Sequence, residues 1–352
     1  MKKTKVSDRY RVVVGDLQAD QDDILRLWQL LPGDKPPGIA KLQRFYINTP
    51  AEQGRVMFLE TVEDNRRVGV LCIGLRQFIK QGEPVSGVVF GDFAVEPAHR
   101  SLGPAIYFQK RFLELAEQEF DLTYGFPNAL SSTVRVFGGQ KLTGETVQFK
   151  LPLDVGRTLA KKIGLAGLSS VLGPLVNLIV RPIIGMRLGR ALGGFSHHAV
   201  DDAFLDSLWR RVSETGAAMG VRNARTVRWR LQTVPRQPFE LVAVVDADGE
   251  PAAYLAYETG RQDGVVRVVD HLSVSVDALR AAIAQLGQMQ LRRGRVLEIK
   301  FNSHEQPRMS MAIALGMREM ARTSYFVRIS PRRRGELADD QPFRVSFFDN
   351  DA

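Results

Sequence analysis

The sequence predicts an α/β chain, α+β in layout with mixed sheets, made of two similar lobes joined by a helical connector. Two observations carry that expectation. Apolar runs of strand length alternate with segments of helical spacing, and the order of that alternation occurs twice along the chain. With 352 residues there is room for two domains of ordinary size.

The elements of the first half read as follows. Tyr10–Val14 is a short strand, and "DDILRLWQLL" places Ile24, Leu27, Trp28 and Leu31 on one helical face. "RVMFLETVED" and "RRVGVLCIGLRQF" are two strands separated by the turn Asp64-Asn65, and "GVVFGDFAVEP" is a third. "GPAIYFQKRFLELAEQEF" is an amphipathic helix with Pro104 in its first turn, where a missing N–H costs nothing. "DLTYGFP" is a strand, "ALSSTVRVFGG" a short helix and "GETVQFKLPL" a closing strand.

The second half repeats that order. "DDAFLDSLW" echoes "DDILRLW", "FELVAVVDADGEPAAYLAY" echoes "MFLETVEDNRRVGVLCIG", and "DHLSV" echoes "GDFAV". "EIKFN" then answers "YGFPN", and "LGMREM…YFVRI" answers "FGGQKL…VQFKL". Five echoes in one order argue for a duplicated α/β unit. The expected division is a lobe over 1–153, a connector over 154–199 and a second lobe over 200–352. Within the connector, Gly164 to Val180 carries no charge but is interrupted by Ser169, Ser170, Pro174 and Asn177, with Lys161, Lys162, Arg181, Arg187 and Arg190 around it. It reads as linking helices packed across the lobes, or as an interfacial membrane element or cover over a greasy substrate.

Composition narrows the class. The chain is 44% hydrophobic and 25% charged, as soluble globular proteins are. Its single cysteine, Cys72, excludes an intramolecular disulfide and offers no metal-ligand cluster, so no metal is expected. "MKKTKVSDRYRVVV" lacks the apolar core of a signal peptide, and a cytoplasmic protein is expected. The net charge of +9 favours anionic partners: a phosphate-bearing cosubstrate, a membrane surface contacted peripherally, or an acidic carrier protein. Arg222, Arg225, Arg228, Arg230 and Arg236 cluster around Trp229, either as a solvated basic face or to recognise an anionic acceptor or carrier; no nucleic acid is expected.

The stretch most suggestive of chemistry is "VEPAHRSLGPAI", a strand end, a loop and a helix start. A pyrophosphate needs converging N–H donors, small residues that let the backbone approach, and a helix N-terminus for its dipole. Ser101, Leu102, Gly103 and Ala105 can supply donors, Gly103 permits approach, Arg100 adds charge, and Pro104 cannot donate.

The pattern V-x-P-x-x-R-x-x-G-x-A, from Val95 through Pro97, Arg100 and Gly103 to Ala105, resembles the acyl-CoA motif of the GNAT superfamily of N-acyltransferases. The resemblance covers residues 10–151 in element order and 200–330 a second time. It implies acyl-CoA, acetyl or longer, as co-substrate and an amine-bearing acceptor. It gives Phe93, Ala94 and Val95 the role of bonding pantetheine in a slot, with Asn128 across the slot or capping the next helix. Acyl transfer to an amine needs a base, an oxyanion donor and an acid for the thiolate. Asp92 is the candidate base, or else a solvated or salt-bridged strand carboxylate, and a backbone N–H near Val95 is the oxyanion donor. The family's tyrosine acid is missing, with Val134 near its place; Tyr124 or Tyr107 could substitute if they are not core residues, or water could protonate the thiolate.

In the second lobe, setting Val274 opposite Val95 puts Leu279 and Ala282 where Arg100 and Gly103 stand, so no phosphate cradle is expected there; His271 then falls opposite Asp92. The function expected is transfer of an acyl group from acyl-CoA to an amine by direct attack on the thioester. An acyl-carrier protein as donor, or a non-catalytic acyl-CoA-binding module, are the alternatives.

Overall fold

The structure, a computed structural model, describes residues 5–31, 37–126, 143–156, 169–215, 218–231, 239–259, 264–294, 298–303 and 305–337. The first half holds β1 (Tyr10–Gly15), α1 (Gln21–Trp28), α2 (Ile39–Leu42, widening into a π-type turn over Gln43–Ile47), β2 (Arg55–Thr61), β3 (Arg67–Lys80), β4 (Glu83–Val95), α3 (Leu102–Glu119), β5 (Leu122–Gly125) and β6 (Gly144–Pro152). The second holds α4 (Ser169–Leu192), β7 (Ser196–His198), α5 (Asp202–Ser213), β8 (Met219–Gly220), α6 (Ala224–Leu231), β9 (Phe239–Val245), β10 (Pro251–Thr259), β11 (Val265–Ser273), α7 (Val276–Arg293), β12 (Glu298–Ser303), α8 (Gln306–Ala314) and β13 (Arg318–Ile329).

Local chemistry accounts for the boundaries. Ile24, Leu27 and Trp28 of α1 are buried, as their spacing predicts. Asn65 takes a left-handed conformation (φ 55°) between β2 and β3, one that asparagine tolerates better than most residues. β4 begins earlier than its apolar pattern suggests, at Glu83, because Gln81 (φ 53°) and Gly82 (φ 83°) make a tight turn that starts the pairing with β3 at once. On α3, Phe108, Phe112, Leu113 and Ala116 face the sheet and pack with Leu71, Ile73 and Val88.

The strands form one sheet in the order β1-β2-β3-β4-β5-β13-β6-β12-β11-β10-β9-β7, with β8 paired to β3. That order is close to symmetric about its middle. β1 to β5 run outward on one side, and their counterparts β7, β9, β10, β11 and β12 run outward on the other. The closing strands are exchanged. β6, from the first half, pairs antiparallel with β12 of the second, from Glu298↔Pro152 to Ser303↔Val147. β13, the last strand, pairs with β5 of the first half, from Phe326↔Gly125 to Ile329↔Leu122. Between them β6 and β13 pair with each other, from Arg318↔Lys150 to Tyr325↔Gly144. Gly144 is required there, since a Cβ would lie 2.7 Å from the Tyr325 hydroxyl.

β6 thus carries Val147, Phe149 and Leu151 into the core of the second half, among Ile299, Phe301 and Leu255. A helix crosses the back of that core. α4 lies on α7, with Leu188 filling the gap that Gly287 leaves; a Cβ at Gly287 would stand 2.7 Å from it. Over Ser169–Leu192 the connector is a helix, packed on α7 of the second lobe. Asn177, the polar break in its apolar run, is buried and holds the preceding segment by donating to Asp154 (2.7 Å) and accepting from the Gly156 N–H (3.1 Å). No described helix is long and apolar enough to cross a membrane.

Because each half lacks its own closing strand, the two should unfold together. A chain ending at residue 153 keeps β6 but loses β13 and β12, the strands it pairs with. That truncation is expected to show no cooperative thermal transition by circular dichroism, whereas the full chain shows one.

Candidate functional site

The site is built where β4 parts from β5. The two strands pair in parallel only over Gly87↔Leu122, Val88↔Thr123 and Val89↔Tyr124. β4 continues to Val95, paired there with β3 alone, through Val70↔Ala94 and Gly69↔Val95. Beyond Val89 its other edge faces a gap among the described residues. Phe93, Ala94 and Val95 lie along that stretch of β4. Phe93 turns its ring onto Phe108 of α3 (5.6 Å between centroids), so at that residue it is the backbone that remains for the gap. Asn128 and Val134 lie outside the described residues.

A bulge in β4 turns Asp92 to the opposite face. Between Val70 and Cys72, β3 advances two residues while β4 advances three, and Asp92 takes a left-handed φ of 51°. Its carboxylate accepts from Lys41 Nζ and from the Tyr46 hydroxyl, each at 2.7 Å. The Asp92 side chain is 9% exposed and Lys41 20%. The π-type turn and a glycine bring Tyr46 close: a Cβ on Gly91 would sit 3.1 Å from its hydroxyl. Cys72 lies beneath, its thiol pushed well up by burial and further by the Asp92 charge. Lys41 and Tyr46 were not foreseen from the sequence. They stand 51 and 46 residues from Asp92, in a segment with no motif.

The loop after β4 is tied down at several points. Pro97–His99 make one 3-10 turn, the His99 Nδ1 lies 2.8 Å from the Tyr10 hydroxyl, and Glu96 accepts from Arg26 and Arg66. Of the four donors expected at the helix start, two are used internally. The Ser101 N–H bonds the His99 carbonyl (2.9 Å), and the Ala105 N–H bonds the Ser101 carbonyl (3.3 Å). Leu102 and Gly103 are the first two residues of α3, whose cap makes no side-chain hydrogen bond, so their N–H groups point beyond the helix end. Pro104 is buried in the first turn, and Ala105 beside it. Arg100 folds back, Nε to the Val95 carbonyl (3.1 Å) and an Nη to the Leu30 carbonyl (3.3 Å). It fastens the loop while leaving its charge beside the helix end. Gly103 is approached by Val6 of the N-terminal segment, 3.2 Å from where a Cβ would be.

Of the candidate acids, Tyr124 is fully buried, edge-on to Phe78 (5.2 Å), and is a core residue. Tyr107 is half-buried on α3, beneath Arg111.

The second lobe is built differently at the corresponding helix start. Its strand β11 ends with the Val274 N–H on the Ala252 carbonyl (2.9 Å), as β4 ends with Glu96 on Val68 (2.8 Å). Counting back from those bonds, Asp270 is the counterpart of Asp92, and His271 that of Phe93. The ungapped alignment of Val274 with Val95 is one residue out. The loop is also shorter: α7 starts two residues after Val274, and its cap Ser275 accepts from the Ala278 N–H (3.0 Å). There His271 stacks on Phe301 (5.1 Å) and meets Arg308 (3.3 Å). Asp270, buried, takes a hydrogen bond from the Tyr254 hydroxyl (2.6 Å) and pairs with Arg222 (3.2 Å).

Residues 221–230 of the arginine-rich stretch dock onto the first lobe and are not simply a solvated face, while Arg236 lies outside the described residues. Trp229 Nε1 donates to the Arg44 carbonyl (3.1 Å), its ring lies under Arg76 (4.9 Å) and edge-on to Phe45 (6.0 Å). Arg44 also donates to the Arg230 carbonyl, and the Val221 N–H donates to the Gln77 carbonyl (2.9 Å). A small cavity lined by Leu75, Arg76, Val221, Arg222 and Trp229 opens at this junction. No group of three or more metal-ligating side chains occurs among the described residues.

No family model matches the sequence, and no curated protein does. Solved structures do match the fold. A GCN5-related N-acetyltransferase from Anabaena variabilis superposes with a TM-score of 0.62 at 11% identity, over 92% of this chain and 74% of that one. A probable N-acyltransferase of unknown function from Enterococcus faecalis gives 0.61 at 12%, over 91% and 72%. A GCN5-related N-acetyltransferase from Kribbella flavida gives 0.58 at 12%, over 92% and 72%. The chain has the GNAT-like fold.

The Lys41–Asp92 pair yields a stability prediction. Lys41→Met leaves a carboxylate nine-tenths buried without its cation, and should cost about 2–4 kcal/mol in urea unfolding. Adding Asp92→Asn should recover part of that loss, because the two residues share one interaction.

Proposed function

We propose that the protein is an N-acyltransferase that takes its acyl group from acyl-CoA and passes it to an amine. The observation that carries this is the parting of β4 from β5 at Val89↔Tyr124, directly before a helix whose first two N–H groups point outward. An extended pantetheine arm fits an open strand edge, and a pyrophosphate fits a helix start with Arg100 beside it. The GNAT-like fold agrees with this reading. The second lobe, with its cap satisfied and its loop short, serves as scaffold and wall.

In the proposed reaction the neutral amine attacks the thioester carbonyl, the C–N bond forms and the C–S bond breaks. The thiolate leaves by taking a proton from water, since Tyr124 is sealed in the core. Asp92 takes the amine's proton. Its two hydrogen bonds, from Lys41 and Tyr46, occupy about half of a carboxylate's four lone-pair sites and leave the others for the amine's proton. The acceptor then enters from the Lys41 face. An acidic acyl-carrier protein is the alternative donor, favoured by the net charge of +9.

Gly103→Glu places bulk and negative charge at the helix start and should abolish coenzyme A binding by calorimetry. Gly103→Gln brings nearly the same bulk without the charge, so tighter binding by that variant than by the glutamate separates repulsion from packing. In the second lobe Ser275→Glu, at the cap of α7, is the control and should leave affinity unchanged. Thiol release from acetyl-CoA, longer acyl-CoAs and acyl-carrier protein, with a panel of amines, tests turnover and donor together. No release with any donor would leave a binding module.

Asp92→Asn should preserve coenzyme affinity and lower turnover by roughly a hundredfold at neutral pH. The deficit should narrow as the pH rises toward the acceptor's own pKa, where the amine is already neutral. Wild-type turnover in this variant would make Asp92 a purely structural partner of Lys41.

A further inference from the structure

α4 has two apolar faces, and only one is covered among the described residues. Leu188 is fully buried against α7, with Ile184, Ala191 and Leu192 packed around it. On the opposite face Leu175, Leu178, Ile179, Ile183 and Met186 are 56%, 75%, 68%, 55% and 59% exposed. Their spacing of three, one, four and three residues lays them along one stripe, roughly 16 Å long at 1.5 Å per residue. Arg187 donates to the Ala314 carbonyl (2.6 Å), which brings α8 and its exposed Ile313 (62%) toward the end of the stripe. Single exposed apolar residues need no explanation, but a continuous row does.

Charge decides what could cover it. From residue 155 to residue 200 the chain has no aspartate or glutamate, and it has six lysines and arginines. Of these, Arg187 and Arg190 sit at the exposed end of the stripe. A second copy of the chain would set cation against cation, while an anionic surface matches both the row and its flanks. The helix cannot cross a bilayer, since none described is long and apolar enough and Asn177 is held at Asp154. It can lie in the headgroup plane, apolar row inward and arginines at phosphate level.

We propose that the exposed face of α4 docks the protein peripherally on a bilayer that carries anionic lipid. This is independent of the acyltransfer reading and needs no turnover to test. Full-length protein is sedimented with vesicles of phosphatidylcholine alone and with vesicles holding roughly a third phosphatidylglycerol. Binding is expected to the anionic vesicles, to weaken at high salt, and to fall at least about tenfold in Leu178→Glu and in Met186→Glu. Both positions are exposed, so the thermal transition should be unchanged, and either variant alone suffices if the other is unstable. Arg190→Glu should weaken binding to anionic vesicles while preserving the fold. Absence of the wild-type protein from the anionic vesicle pellet would overturn the proposal. So would equal binding by wild type and both glutamate variants. A wild-type dimer by sedimentation velocity that Leu178→Glu dissociates, without vesicle binding, would assign the stripe to a second copy instead.

Discussion

The pairing of β6 with β13 is the contact on which both lobes depend. Each strand closes the other half's sheet and meets its own sequence counterpart at the centre. Strand edges are liabilities when left open; the exchange covers β5 and β12 at once and makes a single sheet of two repeats. It also fixes what one lobe can do to the other. With the centre pinned, α6 is held against α2, and Trp229 reaches Arg44, Phe45 and Arg76.

The parting of β4 and β5 follows from the same arrangement. β5 is only four residues long and is engaged by β13 along Leu122–Gly125. Among the described residues it pairs with β4 only as far as Val89. The bulge at Asp92 then sends a carboxylate to one face and leaves the backbone at the other. Burying that carboxylate without partners would be costly, and Lys41 and Tyr46 answer it from α2. The second lobe repeats the solution with Arg222 and Tyr254 on Asp270. Two copies, two bulges, two aspartates each held by a cation and a phenol: this constraint belongs to the fold, and only the first copy combines it with an open helix start.

What differs between the copies is small in sequence and large in consequence. Six residues separate β4 from α3, and two separate β11 from α7. The longer loop leaves the Leu102 and Gly103 N–H groups outward; the shorter one puts Ser275 on the Ala278 N–H and closes the cap. His271 on Phe301 and Arg308 fills with side chains the region that the first lobe leaves to Phe93's backbone.

The amino-acid pattern alone was enough for the order of the described strands and helices and for its repetition, and it marked the loop between β4 and α3, though not that Ser101 and Ala105 spend their N–H groups internally. These are local properties: periodicity, glycine and proline placement, and spacing act within a few residues. The partners of Asp92 and Arg222, the docking of Trp229 and the one-residue register between the lobes came only from the folded chain. So did the exchange of β6 and β13, because two strands of similar pattern can close either sheet. Alternation says which face a strand buries and is silent on which neighbour it pairs with. That choice is made by the whole sheet, where β6 and β13 each pair on both sides and give β5 and β12 a partner.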